Sequence, residues 1–256
     1  MKVRSLFAEP SFQLREFESG GVYDLPTYNY EGGSGADYFV GGPNDDRING
    51  NDGNDELYGG GGHDIMSGGY GFNILFGNAG NDILYGGPDG NILYGGEDQD
   101  IIFGGVGTDT LHGSFGADDL KASFGNDVLD GGPGNDIING GHGHDVLTGG
   151  DGSDVFAFDT ALGPDNVDLI KDFRGGGRDS IWLSGALFES VARDGAIQPD
   201  EFVVGPQALD ANDYLIWDPT SRSLSYDADG SGPGAAIMFV RFSKVLNLKS
   251  SDFHLI

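Results

Sequence analysis

The sequence predicts an all-β chain, about half of which is a stack of short strands, and three observations predict it. Glycine makes up 48 of 256 residues, roughly a fifth against an ordinary share near 7%. From Gly32 to Ala157 the chain divides into consecutive nine-residue units, from Gly32-Gly33-Ser34-Gly35-Ala36-Asp37-Tyr38-Phe39-Val40 to Gly149-Gly150-Asp151-Gly152-Ser153-Asp154-Val155-Phe156-Ala157, without an insertion or deletion. The eighth position of every unit is a large apolar residue, Phe39, Ile48, Leu57, Met66 and so on to Leu147 and Phe156. One unit cannot bury its single apolar side chain, but stacked units share a continuous core.

Each position of the unit has a physical reading. Glycine dominates positions 1, 2 and 4, where it allows positive φ and close backbone approach, so the first six residues are expected to turn tightly. The last three form a short strand, with position 8 on one face and positions 7 and 9 on the other. Position 6 is Asp, except for Asn73 and Asn91. A disordered Gly/Asp linker has no use for an apolar eighth position.

Stacking places the position-6 carboxylates in columns. The whole chain carries 41 acidic against 13 basic residues, a formal net charge of −28, and Arg47 and Lys121 are the basic residues between 32 and 157. Such a column repels itself. A hard cation held by carboxylate and turn carbonyl oxygens resolves the repulsion, and Ca²⁺, with 6–8 oxygen ligands in flexible geometry, suits the place. The same field opposes nucleic acid and anionic membrane surfaces as electrostatic partners.

These residues resemble the RTX (hemolysin-type calcium-binding) family, whose nonapeptide GGxGxDxUx serves as a standard example of a repeat signature. The resemblance implies a right-handed parallel β-roll of about seven coils from fourteen nonapeptides, with Ca²⁺ bridging successive turns on each edge. Odd-numbered units then line one edge with Asp37, Asp55, Asn73, Asn91, Asp109, Asp127 and Asp145. Even-numbered units line the other with Asp46, Asp64, Asp82, Asp100, Asp118, Asp136 and Asp154. The twelve aspartates are the expected calcium ligands, and the site between Asn73 and Asn91 is expected to be weak or empty. With so little apolar side chain and so much glycine to order, the roll is expected to fold only as Ca²⁺ binds.

Residues 1–31, with Phe7, Phe12, Leu14, Phe17, Tyr23, Tyr28 and Tyr30, are expected to cap the first coil, as terminal repeats of solenoids require. Residues 158–256 are expected to form a small, mostly β module with strands at Val167–Phe173, Ser180–Leu183, Tyr214–Trp217, Ser223–Asp227 and Ala235–Phe242 and a hairpin turn over Asp218–Arg222. Its first part is similar to the segment that closes rolls in serralysin-like RTX members, which implies a further Ca²⁺ at Asp172 and Asp179. The run Asp227-Ala228-Asp229-Gly230 fails as an EF-hand loop, with Ser225 at the first ligand position and Ala236 where Glu belongs. The ending Ser251-Asp252-Phe253-His254-Leu255-Ile256 resembles RTX C-termini, which implies an uncleaved signal read by a type I secretion apparatus. No apolar stretch follows Lys2 and Arg4 at the N-terminus, so a cleaved secretory signal is not expected.

Catalytic constellations are not evident. The chain has no His-Glu-x-x-His, Gly-x-Ser-x-Gly or P-loop pattern, and no cysteine. His63, His112, His142 and His144 sit at variable repeat positions. Its longest apolar run, Ala235–Val240, is far short of the about 18 residues of a membrane span. Outward positions 7 and 9 are apolar in mid-roll, as in Ile74/Phe76, Ile83/Tyr85, Ile92/Tyr94 and Ile101/Phe103; the cap, the C-terminal module or a partner is expected to cover them. The expected function is therefore that of a secreted, extracellular, non-enzymatic calcium-binding protein, acting in surface attachment or host interaction with extracellular polysaccharide or a host membrane as partner. The alternatives are a membrane-active, channel- or pore-forming RTX protein and the accessory module of a polysaccharide-modifying enzyme.

Overall fold

The nine-residue register becomes a coil of two units. The computed structural model describes residues 27–191 and 197–256; the expected N-terminal cap lies outside these residues apart from 27–31. Strand partners are eighteen residues apart, as in Leu57↔Leu75 and Leu84↔Ile102, and all pairs within the repeat region are parallel. Successive strands alternate between two sheets. One holds Tyr38–Val40, Glu56–Gly61, Ile74–Ala79, Ile92–Glu97, Thr110–Phe115, Val128–Pro133 and Val146–Asp151; the other holds Arg47–Asn49, Ile65–Ser67, Ile83–Gly87, Ile101–Val106, Asp119–Phe124, Ile137–Asn139 and Val155–Phe158. Fourteen units thus give about seven coils of an all-β parallel solenoid.

Position 8 supplies the core, because period-2 alternation turns it inward on both sheets. From Ile48 to Phe156 these side chains are buried. Phe39, in the first coil, is only partly buried and is covered by the stacked ring of Tyr30 at 4.2 Å between centroids and by the edge of Tyr28 at 6.2 Å.

Most mid-roll strands are six residues long and continue through positions 1–3 of the following unit, where a turn was expected. The backbone pairs there too: Gly60 and Gly61 face Asn78 and Ala79. The turn is confined to positions 4–6. Positive φ falls at position 2, including the non-glycines Asn51, Asn78, Ser114 and Ser123, and at most position-4 residues, but not at position 1. Glycine at position 1 answers to space instead: a Cβ on Gly59 would lie 2.2 Å from Asp64 Oδ2 and 2.7 Å from the Gly77 carbonyl oxygen.

The boundary expected at residue 157 interrupts neither sheet. Asp168–Ile170 pairs with Val146–Asp151, and Ser180–Leu183 with Val155–Phe158, both in parallel. Ile237–Phe242 and Phe253–Leu255 then add one strand to each sheet. The hairpin of Leu215–Asp218 and Ser223–Tyr226 lies beside them, with Arg222 in the turn at φ 58. Phe202–Val204 completes the larger sheet. Buried Phe188, Trp217, Phe239 and Phe242 close that end of the core through edge-to-face contacts, such as Trp217–Phe242 at 5.3 Å. Expected and observed strands agree within a few residues, but Phe202–Val204 and Phe253–Leu255 were not anticipated. Phe253 is buried as part of the closing wall.

Outside, the aromatic side chains at position 9 stack from coil to coil. Tyr58, Phe76, Tyr94 and His112 form one ladder with centroid spacings of 4.6, 4.9 and 4.8 Å, and Tyr85 stacks on Phe103 at 5.0 Å. The rings use their faces on one another, at the strand spacing of a sheet.

Candidate metal centre

Each edge of the roll carries a continuous ladder of position-6 side chains, carboxylates throughout except at Asn73 and Asn91. The Oδ1 of a position-6 side chain accepts the backbone N–H of the position-6 residue one coil earlier. On the even edge Asp46 N–H donates to Asp64 at 2.7 Å, Asp64 to Asp82 at 2.7 Å, Asp82 to Asp100 at 2.8 Å, Asp100 to Asp118 at 2.8 Å, and Asp118 to Asp136 at 2.9 Å. On the odd edge Asp37 donates to Asp55, Asp55 to Asn73, Asn73 to Asn91, Asn91 to Asp109, Asp109 to Asp127 and Asp127 to Asp145. The positive φ two residues before most of these side chains and the parallel register together aim them along the stack.

The ladders do not stop with the repeats. Asp145 N–H donates to Asp168 Oδ1 at 3.0 Å, and Asp136 and Asp154 continue the even edge to Asp179. Asp168 was missed in the sequence reading, which named Asp172 and Asp179 alone. Its signal was an Asp two residues before a buried apolar one: Asp168-Leu169-Ile170 and Asp179-Ser180-Ile181 both keep the last part of the nonapeptide, but only Asp179 is preceded by a glycine run, Gly175-Gly176-Gly177.

The second carboxylate oxygen decides what the site needs. Oδ2 is buried without a hydrogen-bond partner in Asp55, Asp64, Asp82, Asp100, Asp109, Asp118, Asp127, Asp136 and Asp145. An ionised oxygen in a dry site with no donor is costly, and it must gain a proton or a cation. Burial accordingly pushes these carboxyls up from 3.8: Asp82, Asp109 and Asp118 to about 6, Asp64, Asp127 and Asp136 to about 7, and Asp100 to about 8. Backbone N–H donors oppose the rise in each. Asp168 is pushed to about 8, first by burial and then by the Asp145 charge.

What faces these oxygens is visible at the two asparagines. Asn73 Nδ2 donates to the Gly71 carbonyl at 3.0 Å and the Gly69 carbonyl at 3.4 Å, and Asn91 Nδ2 donates to the Asp89 carbonyl. These are the carbonyls of positions 2 and 4. An aspartate in the same turn therefore aims Oδ2 at an all-oxygen surround, with one carboxylate per turn and the remainder backbone. Among the described residues no three His, Cys, Asp or Glu side chains converge as a metal group, as expected where carbonyls supply most of the oxygens. The donor set fits calcium and fits poorly the metals that prefer nitrogen or sulfur. Bound there, the cation would neutralise the carboxylate columns; the chain's own part is to hold the oxygens in place.

The remaining expected ligands are engaged otherwise. Asp37 and Asp46 turn Oδ2 back onto the Gly33 and Gly42 N–H groups at 2.7 and 2.8 Å. Asp172 accepts from Gly149 and Gly150 with both oxygens. Asp154 and Asp179 face the Arg174 guanidinium, at 3.5 and 3.6 Å.

Comparison with known proteins agrees with this geometry. A family model described as the RTX calcium-binding nonapeptide repeat (4 copies) matches residues 31–66, 58–93, 67–101, 85–120 and 121–156. No curated protein matches the chain. Among solved structures, the extracellular lipase LipA from Serratia marcescens aligns at 14% identity with a TM-score of 0.21, covering 92% of this chain. The chain spans 41% of that lipase, and a likeness of this size carries no argument about fold or activity.

Proposed function

The chain belongs to the RTX calcium-binding repeat family through residues 31–156, and from that premise we propose that it is an extracellular, non-enzymatic β-roll protein that orders on meeting calcium outside the cell and serves there in surface attachment or host interaction. The observation that carries the reading is the set of nine buried Oδ2 atoms without donors. In a low-calcium compartment these oxygens keep the roll open. At the 10⁻⁴–10⁻³ M affinities usual for extracellular modules, calcium closes them and binding becomes folding free energy. A loosely ordered chain at low calcium is also the state a type I secretion apparatus can thread.

Attachment is supported by the outer surface rather than by the metal sites. Tyr70, Phe72, Phe115 and Phe124 are exposed along the roll, Phe124 with its ring stacked on His142 at 4.8 Å. Among the described residues no helix is long and apolar enough to cross a membrane.

The test is calcium titration by calorimetry, followed by binding of the calcium-loaded protein to bacterial surfaces, capsular polysaccharide and liposomes. Calcium-dependent binding that chelator reverses is expected. A titration without heat or saturation overturns the proposal, and calcium-dependent dye release from liposomes replaces attachment with membrane activity.

A further inference from the structure

Arg174 sits where a cation would sit. It lies in the segment linking Asp168–Ile170 to Ser180–Leu183, which replaces a nonapeptide turn at the end of the even edge. Its Nη2 donates to the Gly150 carbonyl, to the Gly152 carbonyl at 3.2 Å, and to Asp154 Oδ2 at 3.5 Å. These are the position-2 carbonyl, the position-4 carbonyl and the position-6 carboxylate of one turn. Its Nε stands 3.6 Å from Asp179 Oδ2 and its Nη1 stands 3.7 Å from Asp151 Oδ1. Asp154 accordingly has no orphaned oxygen, unlike Asp64, Asp82, Asp100, Asp118 and Asp136 on the same edge.

Asn73 and Asn91 use the same surround. Their Nδ2 groups donate to carbonyls at positions 2 and 4 or at position 4, and Asn91 also reaches Asp109 Oδ1 at 3.2 Å. A nitrogen donor on the chain thus stands, in three turns, where the other turns place a donorless Oδ2.

We propose that Arg174 is a chain-borne replacement for calcium that closes the last turn of the even edge, and that the Asn73 and Asn91 amides do the same in mid-roll on the odd edge. The proposal rests on the calcium reading of the other turns. It makes the ion array finite and interrupted: the even edge ends at Arg174, and the odd edge is divided between Asp55 and Asp109. A guanidinium gives a charge and a planar fork of donors that no calcium shortage removes, so the wall of the roll next to the C-terminal strands is held without metal.

The experiment counts calcium per chain by equilibrium dialysis at saturation, on the full chain, with hydrogen exchange as a second readout. Arg174→Ala is expected to bind a further ion, and Arg174→Lys, which keeps a cation, none. Asn73→Asp with Asn91→Asp is expected to bind more ions than the wild type and to need more calcium before the amides in residues 68–94 become protected. An unchanged count for Arg174→Ala overturns the assignment on the even edge. So does its failure to fold in saturating calcium, since an ion should close the vacated turn. An unchanged count for the asparagine pair overturns the odd edge. A wild type that binds no calcium at all overturns the calcium reading instead.

Discussion

Acidification of the metal-free protein should partly replace calcium. Burial lifts the folded-state values of Asp64, Asp82, Asp100, Asp109, Asp118, Asp127 and Asp136 from 3.8 to between about 6 and about 8. The folded metal-free roll therefore holds protons that the unfolded chain releases. Stability contributed in this way is fully present below about 4 and is lost as pH climbs toward about 8. Asp64 alone, raised from 3.8 to about 7, weighs about 4 kcal/mol against the ionised fold at pH 8. Even if screening leaves about 1 kcal/mol for each of the seven carboxyls, their sum of about 7 kcal/mol is comparable with the stability of an ordinary domain, about 5–15 kcal/mol. The assay is far-UV circular dichroism and hydrodynamic radius of dilute, chelator-stripped protein between pH 8 and pH 4.5. A gain of β signal and compaction on acidification is expected. A metal-free chain that is equally ordered at both ends of the range, or equally open at both, refutes the reasoning.

Other consequences are local. Gly95→Ala places a Cβ 2.2 Å from Asp100 Oδ2 and 2.8 Å from the Gly113 carbonyl oxygen; calcium titration should show one site lost, and denaturant melts of the loaded protein a destabilisation of about 1–3 kcal/mol. Asp100→Asn supplies the donor that Asn73 supplies in its own turn, so bound calcium should fall while the stripped chain comes about 1–3 kcal/mol nearer to folding, read as β signal that appears at a higher pH on acidification. Leu93→Ala opens a cavity in the single core column, where Leu93 is fully buried, and should cost about 2–5 kcal/mol in the calcium-loaded state.

How far the fold was legible follows from where its information lies. The coil of two units, the inward eighth position and the two carboxylate edges are properties of one repeating residue pattern, and a pattern repeated without a gap states its own stacking. The reach of the strands through Gly60 and Gly61 was not legible, because glycine reads as a turn in isolation and pairs only once a neighbouring coil offers Asn78 and Ala79. Asp168 was hidden for a related reason: the turn before it has Pro164 and Asn166 where the repeat has glycine at its second and fourth positions, and only the buried Ile170 shows that the register has resumed. Nothing local marks Arg174 either. It stands twenty residues from the Asp154 it faces, and its meaning depends on a coil closing over it. Phe253–Leu255 reads as part of a C-terminal secretion signal until Ile181 and Leu183 present an open sheet edge to it.

The central claim, that divalent ions order the roll, is tested most directly by small-angle scattering of the chelator-stripped protein at neutral pH during addition of calcium. A chain of this length has a radius of gyration of about 56 Å unfolded and about 18 Å if compact, with an elongated roll somewhat above the latter. A cooperative fall from the upper regime toward the lower, centred near 10⁻⁴–10⁻³ M calcium, is the expected result. A stripped chain already near the compact value, and unmoved by calcium, contradicts it.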